Sequence, residues 1–297
     1  MPVKLLTTQY KDKLATAIVD RLGIDCAVID VHSFLDGEVS VDVKEDVRGC
    51  DVYVLHAHHG DPNKWYVEAI LIADMLKRSG VKSMCLIAPY LAYARQDVPD
   101  GSHHASFASP VICKGLSVYD HICVTDLHTQ QTQGFFQAQV TCLSTVDAIS
   151  THILSTDVSN VVLVSPDFGG SKRVQAIHHQ VNCGIAVIEK HHIEHGVESV
   201  KVLGQIAGRD CVLIDDIMVS GQSLQAASHL LHNQGALSVR VYVTHLLHHD
   251  IDAWQKEAKV DAVYTTDSTS VAHHIEISLA PQIAAFIRQQ QGGNNDS

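Results

Sequence analysis

"VLIDDIMVSGQSL", residues 212–224, joins an apolar run to two adjacent acids, a small polar loop and the start of a helical pattern. A short apolar run of this kind is typical of a strand in a parallel sheet that is covered on both faces. Ligands of such sheets bind beyond the carboxyl ends of the strands, which is where Asp215 and Asp216 fall. The stretch therefore predicts an α/β fold with a candidate ligand site at residues 215–223.

The loop after the two acids has the features of an anion site. Backbone amides of a tight loop and of a helix N-terminus bind phosphate groups, and Gly221 permits an unusual backbone turn. Ser220 and Ser223 add hydroxyl donors. Asp215 and Asp216 would repel a phosphate, so they favour a sugar phosphate, whose hydroxyls would face the acids. The alternative is a strand that ends in two solvated acids before a helix, and the pattern alone leaves both open.

Strand and helix patterns alternate along the rest of the chain, as expected for parallel sheets covered by helices. Strands are predicted at residues 51–57, 81–90, 121–128, 160–170 (running into a Gly pair), 184–190, 210–217 and 237–246, and helices at residues 64–80, 172–182 and 224–235. The 297 residues suggest about two domains, with a break near residues 143–155.

Charge and hydropathy exclude several classes of partner. The net charge of −12, without a basic stripe, argues against nucleic acid and anionic membranes as partners. No apolar run approaches the ~20 residues that span a bilayer. The N-terminal residues lack the apolar segment of a signal peptide. We therefore expect a cytoplasmic protein.

Histidine is unusually common, with 21 residues, many of them in adjacent pairs. The segment "HAHHGD", residues 56–61, could supply imidazole ligands to zinc, copper or nickel. Surface usage without a function is the alternative interpretation. It is favoured because neither an HExxH motif nor a spaced Cys/His set accompanies the pairs.

The opening stretch resembles the ribose-phosphate motif of phosphoribosyltransferase-fold proteins, and further blocks resemble one family with that fold, the ribose-phosphate pyrophosphokinases. These blocks occur in the order and spacing of that family, and the likeness covers nearly the whole chain. They are "SFLDGEVSV" (33–41), "APYLAYARQD" (88–97), "VTDLHTQQTQGFF" (124–136), "VSPDFGGSKR" (164–173) and "TTDS" (265–268).

The resemblance implies an α/β fold of two phosphoribosyltransferase-like domains, each a mainly parallel sheet flanked by helices. We expect these at residues 1–145, on the ATP side, and 146–290, with the ribose 5-phosphate site, followed by a disordered tail at 291–297. It also implies transfer of pyrophosphate from MgATP to the C1 hydroxyl of ribose 5-phosphate. The expected assembly is a homo-oligomer built from dimers, commonly a hexamer.

The resemblance also assigns roles to individual residues. Asp215 and Asp216 would hold the ribose hydroxyls, and the loop would hold the 5-phosphate. The loop residues are Ser220, Gly221, Gln222 and Ser223. Arg95 and Gln96 would bind ATP. The adenine segment would come from a neighbouring subunit and consists of Phe34, Asp36 and Glu38.

Two residues would serve the magnesium ion that accompanies ATP, and two would serve the transferred group. His128 would contact Mg²⁺ or the phosphates, and Asp167 is the expected acid on the metal or ribose side. Lys190 would neutralise charge at the transferring phosphorus, and His192 stands where the family has a catalytic arginine. Each residue also has an ordinary structural interpretation. These are a surface pair of Arg95 with Asp97, a core position for Phe34, a hydrogen-bonded core position for His128, and turn acids at Asp36 and Glu38.

This sequence departs from the family pattern mainly in the catalytic segments. Residues 98–109 contain no Lys or Arg, whereas the family has a basic stretch there. Further departures are His192, Val219, Gln222 and Phe168. Two other functions therefore stay open, namely a non-catalytic paralogue that regulates a true synthetase, and a phosphoribosyltransferase. The second is weakened because a base-using enzyme would not need the adenine and "ARQD" blocks.

Overall fold

The computed structural model of the protein describes residues 2–8, 13–99, 106–192, 198–270 and 276–292. The chain forms two compact units. The first contains the residues up to Leu143 together with Ser268–Ser270 and the segment from Ser278 onwards. The second contains Ser144–Asp267 together with Glu276 and Ile277.

The first unit is a seven-stranded sheet with helices on both faces. Its elements are β1 (Val3–Thr7), α1 (Lys13–Leu22), β2 (Asp25–Ser33), β3 (Val39–Val43), β4 (Asp51–Leu55), α2 (Pro62–Arg78), β5 (Ser83–Ala88), α3 (Ala108–Leu116), β6 (His121–Thr125), a 3₁₀ helix (Gln130–Phe135), β7 (Gln139–Leu143) and, at the end of the chain, α8 (Ala280–Gly292).

The second unit repeats this architecture. Its elements are α4 (Val146–Leu154), β8 (Val161–Ser165), α5 (Ser171–Val181), β9 (Gly184–His192), β10 (Glu198–Leu203), β11 (Asp210–Met218), α6 (Gln222–Asn233), β12 (Ser238–Leu246), α7 (Ile251–Glu257), β13 (Ala262–Thr266) and β14 (Glu276–Ile277).

The two sheets have the same strand order. The first is β3-β2-β1-β4-β5-β6-β7 and the second is β10-β9-β8-β11-β12-β13-β14. In each sheet the pair at one edge, β2–β3 or β9–β10, is antiparallel and every other described pair is parallel. The predicted α/β class with two mainly parallel sheets is confirmed. The identical order is what an internal duplication would produce.

Strand β4 shows how each sheet is covered on both faces. Val52 and Val54 pack in the cluster that includes α2 and α3, whereas Tyr53 and Leu55 pack in the cluster that includes α1 and α8. All four side chains are buried. A strand buried on both faces explains the continuous apolar runs of the sequence.

The final helix changes the domain division that the sequence predicts. The expected second domain, 146–290, included this helix, but α8 packs on the first unit, where Ile283 and Ile287 are fully buried. Ile283 shares its cluster with Leu5 of β1. The helix continues to Gly292, so the first two residues of the predicted tail are helical, and residues 293–297 lie outside the described residues.

None of the helices in the described ranges combines the length and the apolar character needed to cross a bilayer.

Candidate functional site

The two acids of the opening stretch lie near the carboxyl end of β11, which is the central strand of the second sheet. Asp216 is buried and Asp215 is half-buried. The strand pairs in parallel with β8 on one side and β12 on the other, so its end lies where the strand order reverses. This crevice is the usual ligand position in an open α/β sheet.

The acid pair is electrostatically strained, and Arg173 is a cation close to it. The Asp216 amide donates to Asp215 Oδ1 at 2.9 Å, and Arg173 Nη1 lies 3.8 Å from Asp216 Oδ1. Burial raises the pKa of Asp215 to about 8, and the negative charge of Asp216 is the second-largest cause of this rise. Arg173 lowers the pKa of Asp215. A ligand that donates hydrogen bonds to Asp215 would therefore stabilise its ionised form, which burial and Asp216 disfavour.

The loop after β11 is shaped by Gly221. This residue caps α6 with a φ of +72°. A Cβ atom there would lie 2.3 Å from Nε1 of Trp254 and 2.7 Å from Cε of Met218, so a larger residue does not fit. The predicted helix start at residue 224 moves to Gln222, because Gly221 takes the cap position.

The loop also presents polar groups to solvent. Ser220, Gln222 and Ser223 are exposed, and Val219 is 45% exposed. The Gln222 amide points towards Ser220 Oγ at 3.5 Å, a long contact. The first amides of a helix have no partner within that helix, so the start of α6 can bind an anion. Because the Gln222 side chain is exposed, it does not crowd the loop.

Asp167 lies in the turn between β8 and α5, at the same edge of the sheet as the acid pair. Its Oδ1 accepts from the Gly170 amide at 2.9 Å, and its carbonyl accepts from Ser165 Oγ at 2.6 Å. The side chain is exposed, so its second carboxylate oxygen is accessible. Phe168 beside it is 55% exposed.

Lys190 and His192 are among the last three residues of strand β9. This strand continues two residues beyond the predicted end at residue 190. Lys190 pairs with Val200, and His192 pairs with Glu198, across the antiparallel edge. Because β9 is parallel to β8, this end of β9 faces the same edge of the sheet. The segment that follows, residues 193–197, lies outside the described residues.

In the first unit, the predicted adenine segment forms the tip of the β2–β3 hairpin. The Phe34 amide donates to the Glu38 carbonyl at 2.8 Å, and the Glu38 amide donates to Asp36 Oδ1 at 3.1 Å. Phe34 is 55% exposed, so it is not a core residue. Asp36 thus accepts a hydrogen bond within the turn, and its side chain is exposed.

Arg95, Gln96 and His128 follow adjacent strands of the first sheet, β5 and β6, at their carboxyl ends. All three side chains are exposed, so His128 is not a core histidine. Asp97 is buried and accepts a hydrogen bond from Thr129 Oγ1, which connects the two loops. The alternative of a surface pair between Arg95 and Asp97 therefore does not hold.

A cavity of about 420 Å³ lies elsewhere, at the amino ends of the first sheet. Its polar lining includes Asp51, Lys82 and Asp120. It contains none of the residues predicted for the site, and ligands of such sheets bind at the opposite edge. We therefore place the candidate site at the carboxyl edges.

Comparisons with known proteins agree along the whole chain. Residues 3–117 match the N-terminal domain of ribose phosphate pyrophosphokinase, and residues 138–279 match the phosphoribosyl transferase domain. A ribose-phosphate pyrophosphokinase of Buchnera aphidicola is 31% identical, covering 97% of this chain and 95% of its own length. One from Ralstonia nicotianae is 32% identical with the same coverage. The crystal structure of phosphoribosylpyrophosphate synthetase from Mycobacterium smegmatis superposes with a TM-score of 0.91 at 27% identity, covering 99% of this chain and 100% of that one.

Proposed function

We propose that this chain, which belongs to the ribose-phosphate pyrophosphokinase family, transfers pyrophosphate from MgATP to the C1 hydroxyl of ribose 5-phosphate. The products are phosphoribosyl pyrophosphate and AMP. The observation that carries the proposal is the acid pair of half-buried Asp215 and buried Asp216, followed directly by the Gly221 loop and the start of α6. That arrangement suits a ligand with hydroxyls at one end and a phosphate at the other.

The sugar phosphate would lie along the end of β11. Its 5-phosphate would accept from the amides at the start of α6 and from Ser220 and Ser223, and its 2- and 3-hydroxyls would donate to Asp215 and Asp216. Arg173 supports this assignment, because its guanidinium lies 3.8 Å from Asp216 Oδ1 and offsets part of that charge. The hydroxyl donors then stabilise the ionised acids that burial disfavours.

The residues of the first unit would hold ATP. Arg95 is exposed and can form the paired hydrogen bonds that suit phosphate oxygens. Gln96 would add a neutral donor beside it. Phe34 would stack on adenine in a neighbouring subunit, with Asp36 and Glu38 accepting from the amino group. This arrangement requires a homo-oligomer, for which we propose dimers assembled into a hexamer in the cytoplasm.

Magnesium would arrive with ATP, and the donors present suit it. Mg²⁺ prefers oxygen ligands and keeps several waters and substrate oxygens, so it needs few protein groups. Asp167 offers an accessible carboxylate oxygen, and His128 would contact the phosphates or their ion. When bound, Mg²⁺ neutralises charge on the phosphate oxygens. Lys190 would add positive charge at the transferring group.

A regulatory paralogue is the second candidate, and His192 is the observation that favours it. Histidine at neutral pH is only partly charged and cannot make the two-pronged contact of arginine. Residues 98–109 have also lost the basic stretch of the family. A chain of this kind would bind substrates without turning them over and would act within a mixed oligomer.

The experiment that separates the two candidates is chromatography of the nucleotides formed by the purified chain with ATP, magnesium and ribose 5-phosphate. We expect AMP, and not ADP, to appear only when the sugar is present. Asp215→Asn is the matched negative control, because it alters the sugar site. A folded chain that binds ribose 5-phosphate and forms no AMP would favour the regulatory paralogue.

We also expect His192→Arg to leave the rate of AMP formation unchanged or to raise it by up to about 10–100-fold, since a charged hydrogen bond contributes about 1.5–3 kcal/mol. The reason is that arginine restores a permanent charge and two donors at this position. Steady-state rates of the wild type and the variant at saturating substrates test this prediction. His179→Arg, at an exposed position of α5, is the control. A large loss of rate would show that the loop is built around histidine.

A further inference from the structure

The first unit has its own switch-point crevice, and its side chains differ from those of the second unit. β4 occupies the position in the first sheet that β11 occupies in the second, and α2 follows β4 as α6 follows β11. In place of an acid pair and a phosphate loop, this crevice contains His56, His59 and Glu68. We propose that these three residues bind a divalent transition ion of the zinc class, independently of the proposed reaction.

The spacing of the three side chains suits one ion. Their ligand atoms all lie within 4.8 Å of one another. His59 Nε2 is 3.4 Å from Glu68 Oε2, and His56 Nε2 is 3.6 Å from the same oxygen. Four ligands at about 2.0–2.1 Å from a tetrahedral zinc ion are themselves about 3.4 Å apart. The three groups therefore need little movement to share an ion.

Glu68 is the second, independent observation that points to a cation. Its side chain is 1% exposed, and neither carboxylate oxygen accepts a hydrogen bond of normal geometry from any described residue. Burying a carboxylate without such partners is costly. Besides the histidines, Lys64 Nζ lies 3.8 Å from Oε1, and it also donates to Ser33 Oγ at 2.9 Å. An ion between the imidazoles and Oε2 would compensate the charge directly.

His56 is held in place by its surroundings in the way that metal-binding histidines are. Its ring stacks on Trp65 with centroids 5.3 Å apart, and its Nδ1 is 3.0 Å from Thr8 Oγ1. A partner on the second ring nitrogen fixes the tautomer and orientation of a ligand. In the ion-free protein, Nε2 contacts the Trp65 carbonyl at 3.0 Å. Ion binding would move the proton to Nδ1, from which it can donate to Thr8.

The site has one open side. The His59 side chain is 28% exposed, whereas those of His56 and Glu68 are closed to solvent. An ion can therefore enter beside His59, and water can complete its coordination. Two imidazoles and one carboxylate form a set that zinc accepts, leaving a fourth position for water. Mg²⁺ fits poorly, because it prefers oxygen ligands.

The test is titration of the chelator-treated, full-length protein with Co²⁺, followed by displacement with Zn²⁺. The visible absorption of Co²⁺ reports a low-coordinate site and counts the ions bound. The test variants are Glu68→Gln and His59→Asn. Asp74→Asn, an exposed acid of the same helix, and His179→Asn, an exposed histidine beside another histidine, are the matched controls.

We expect one tightly bound ion per chain, and at least a tenfold weaker Zn²⁺ affinity in both test variants, since even the loss of an outer-shell partner costs about 10–100-fold. The controls should change the affinity by less than about twofold. Circular dichroism checks that each variant is folded. If Glu68→Gln does not fold, His59→Asn alone serves as the test variant. Unchanged affinity in the folded test variants, or absence of the Co²⁺ absorption in the wild type, would overturn the proposal.

Discussion

Asp215→Asn should weaken the binding of ribose 5-phosphate by about 10–100-fold above pH 8, where Asp215 is ionised, while changing ATP affinity by less than about twofold. A hydrogen bond to a charged acceptor contributes about 1.5–3 kcal/mol, and each 1.4 kcal/mol corresponds to a factor of ten in affinity. The amide keeps the size of the carboxylate but removes its charge and one acceptor. Calorimetric titration of each ligand separately measures both effects.

The control for this substitution is Asp252→Asn, which removes a charge from an exposed position of the same unit. It should leave both affinities unchanged. If Asp215→Asn weakened ATP and ribose 5-phosphate equally, the assignment of the sugar to the end of β11 would be wrong.

The raised pKa of Asp215 adds a pH dependence to the same prediction. Because the ionised form accepts the ribose hydroxyls, affinity for ribose 5-phosphate should rise with pH until it passes the pKa of about 8. The free energy of unfolding should show the opposite trend. Between the ordinary carboxyl range near pH 4 and about pH 8, the folded chain keeps a proton that the unfolded chain has lost. In Asp215→Asn, the affinity for ribose 5-phosphate and the free energy of unfolding should both depend less on pH than in the wild type. An equal pH dependence in the variant and the wild type would contradict the assignment.

Gly221→Ala should lower the free energy of unfolding of the second unit by about 2–5 kcal/mol. A left-handed backbone costs a residue with a Cβ about 1–2 kcal/mol, and overpacking adds about 1–3 kcal/mol. The overpacking arises because the new Cβ would lie 2.3 Å from Trp254 Nε1. The variant should also lose affinity for ribose 5-phosphate, since its loop amides move.

Gly208→Ala separates the two causes. Gly208 has a φ of +71°, almost the same as Gly221, but apart from its chain neighbours no described residue has a heavy atom within 4 Å of the added Cβ. It should lose only the backbone contribution of about 1–2 kcal/mol and keep its affinity for the sugar phosphate. Chemical denaturation of both variants measures the difference. Equal losses would show that Trp254 does not restrict the loop.

The strands and the ligand edge could be predicted from the sequence because they follow local patterns. The buried run of β11 and the acids that end it are adjacent in the chain, and the same holds for β4 and the histidine segment. Helix α8 illustrates the limit. Its apolar residues predict a buried face, but nothing in the pattern indicates which of two sheets that face covers, so its packing on the first unit had to come from the structure.

Contacts distant in the chain were also beyond prediction. Arg173 of α5 lies beside Asp216 of β11, and Trp254 of α7 lies against Gly221. Neither residue has a local sequence signal for that role. In the sequence, Glu68 looks like an ordinary helix residue. Only the fold places it beside His56 and His59.

Phosphorus NMR of the complete reaction tests the central claim most directly. With ATP, magnesium and ribose 5-phosphate, we expect signals of a pyrophosphoryl group on C1 of the sugar to grow in equal amount with AMP. Both should be absent when the sugar is omitted or Asp215→Asn replaces the wild type. ATP signals that stay unchanged in the presence of a folded chain that binds both substrates would contradict the account.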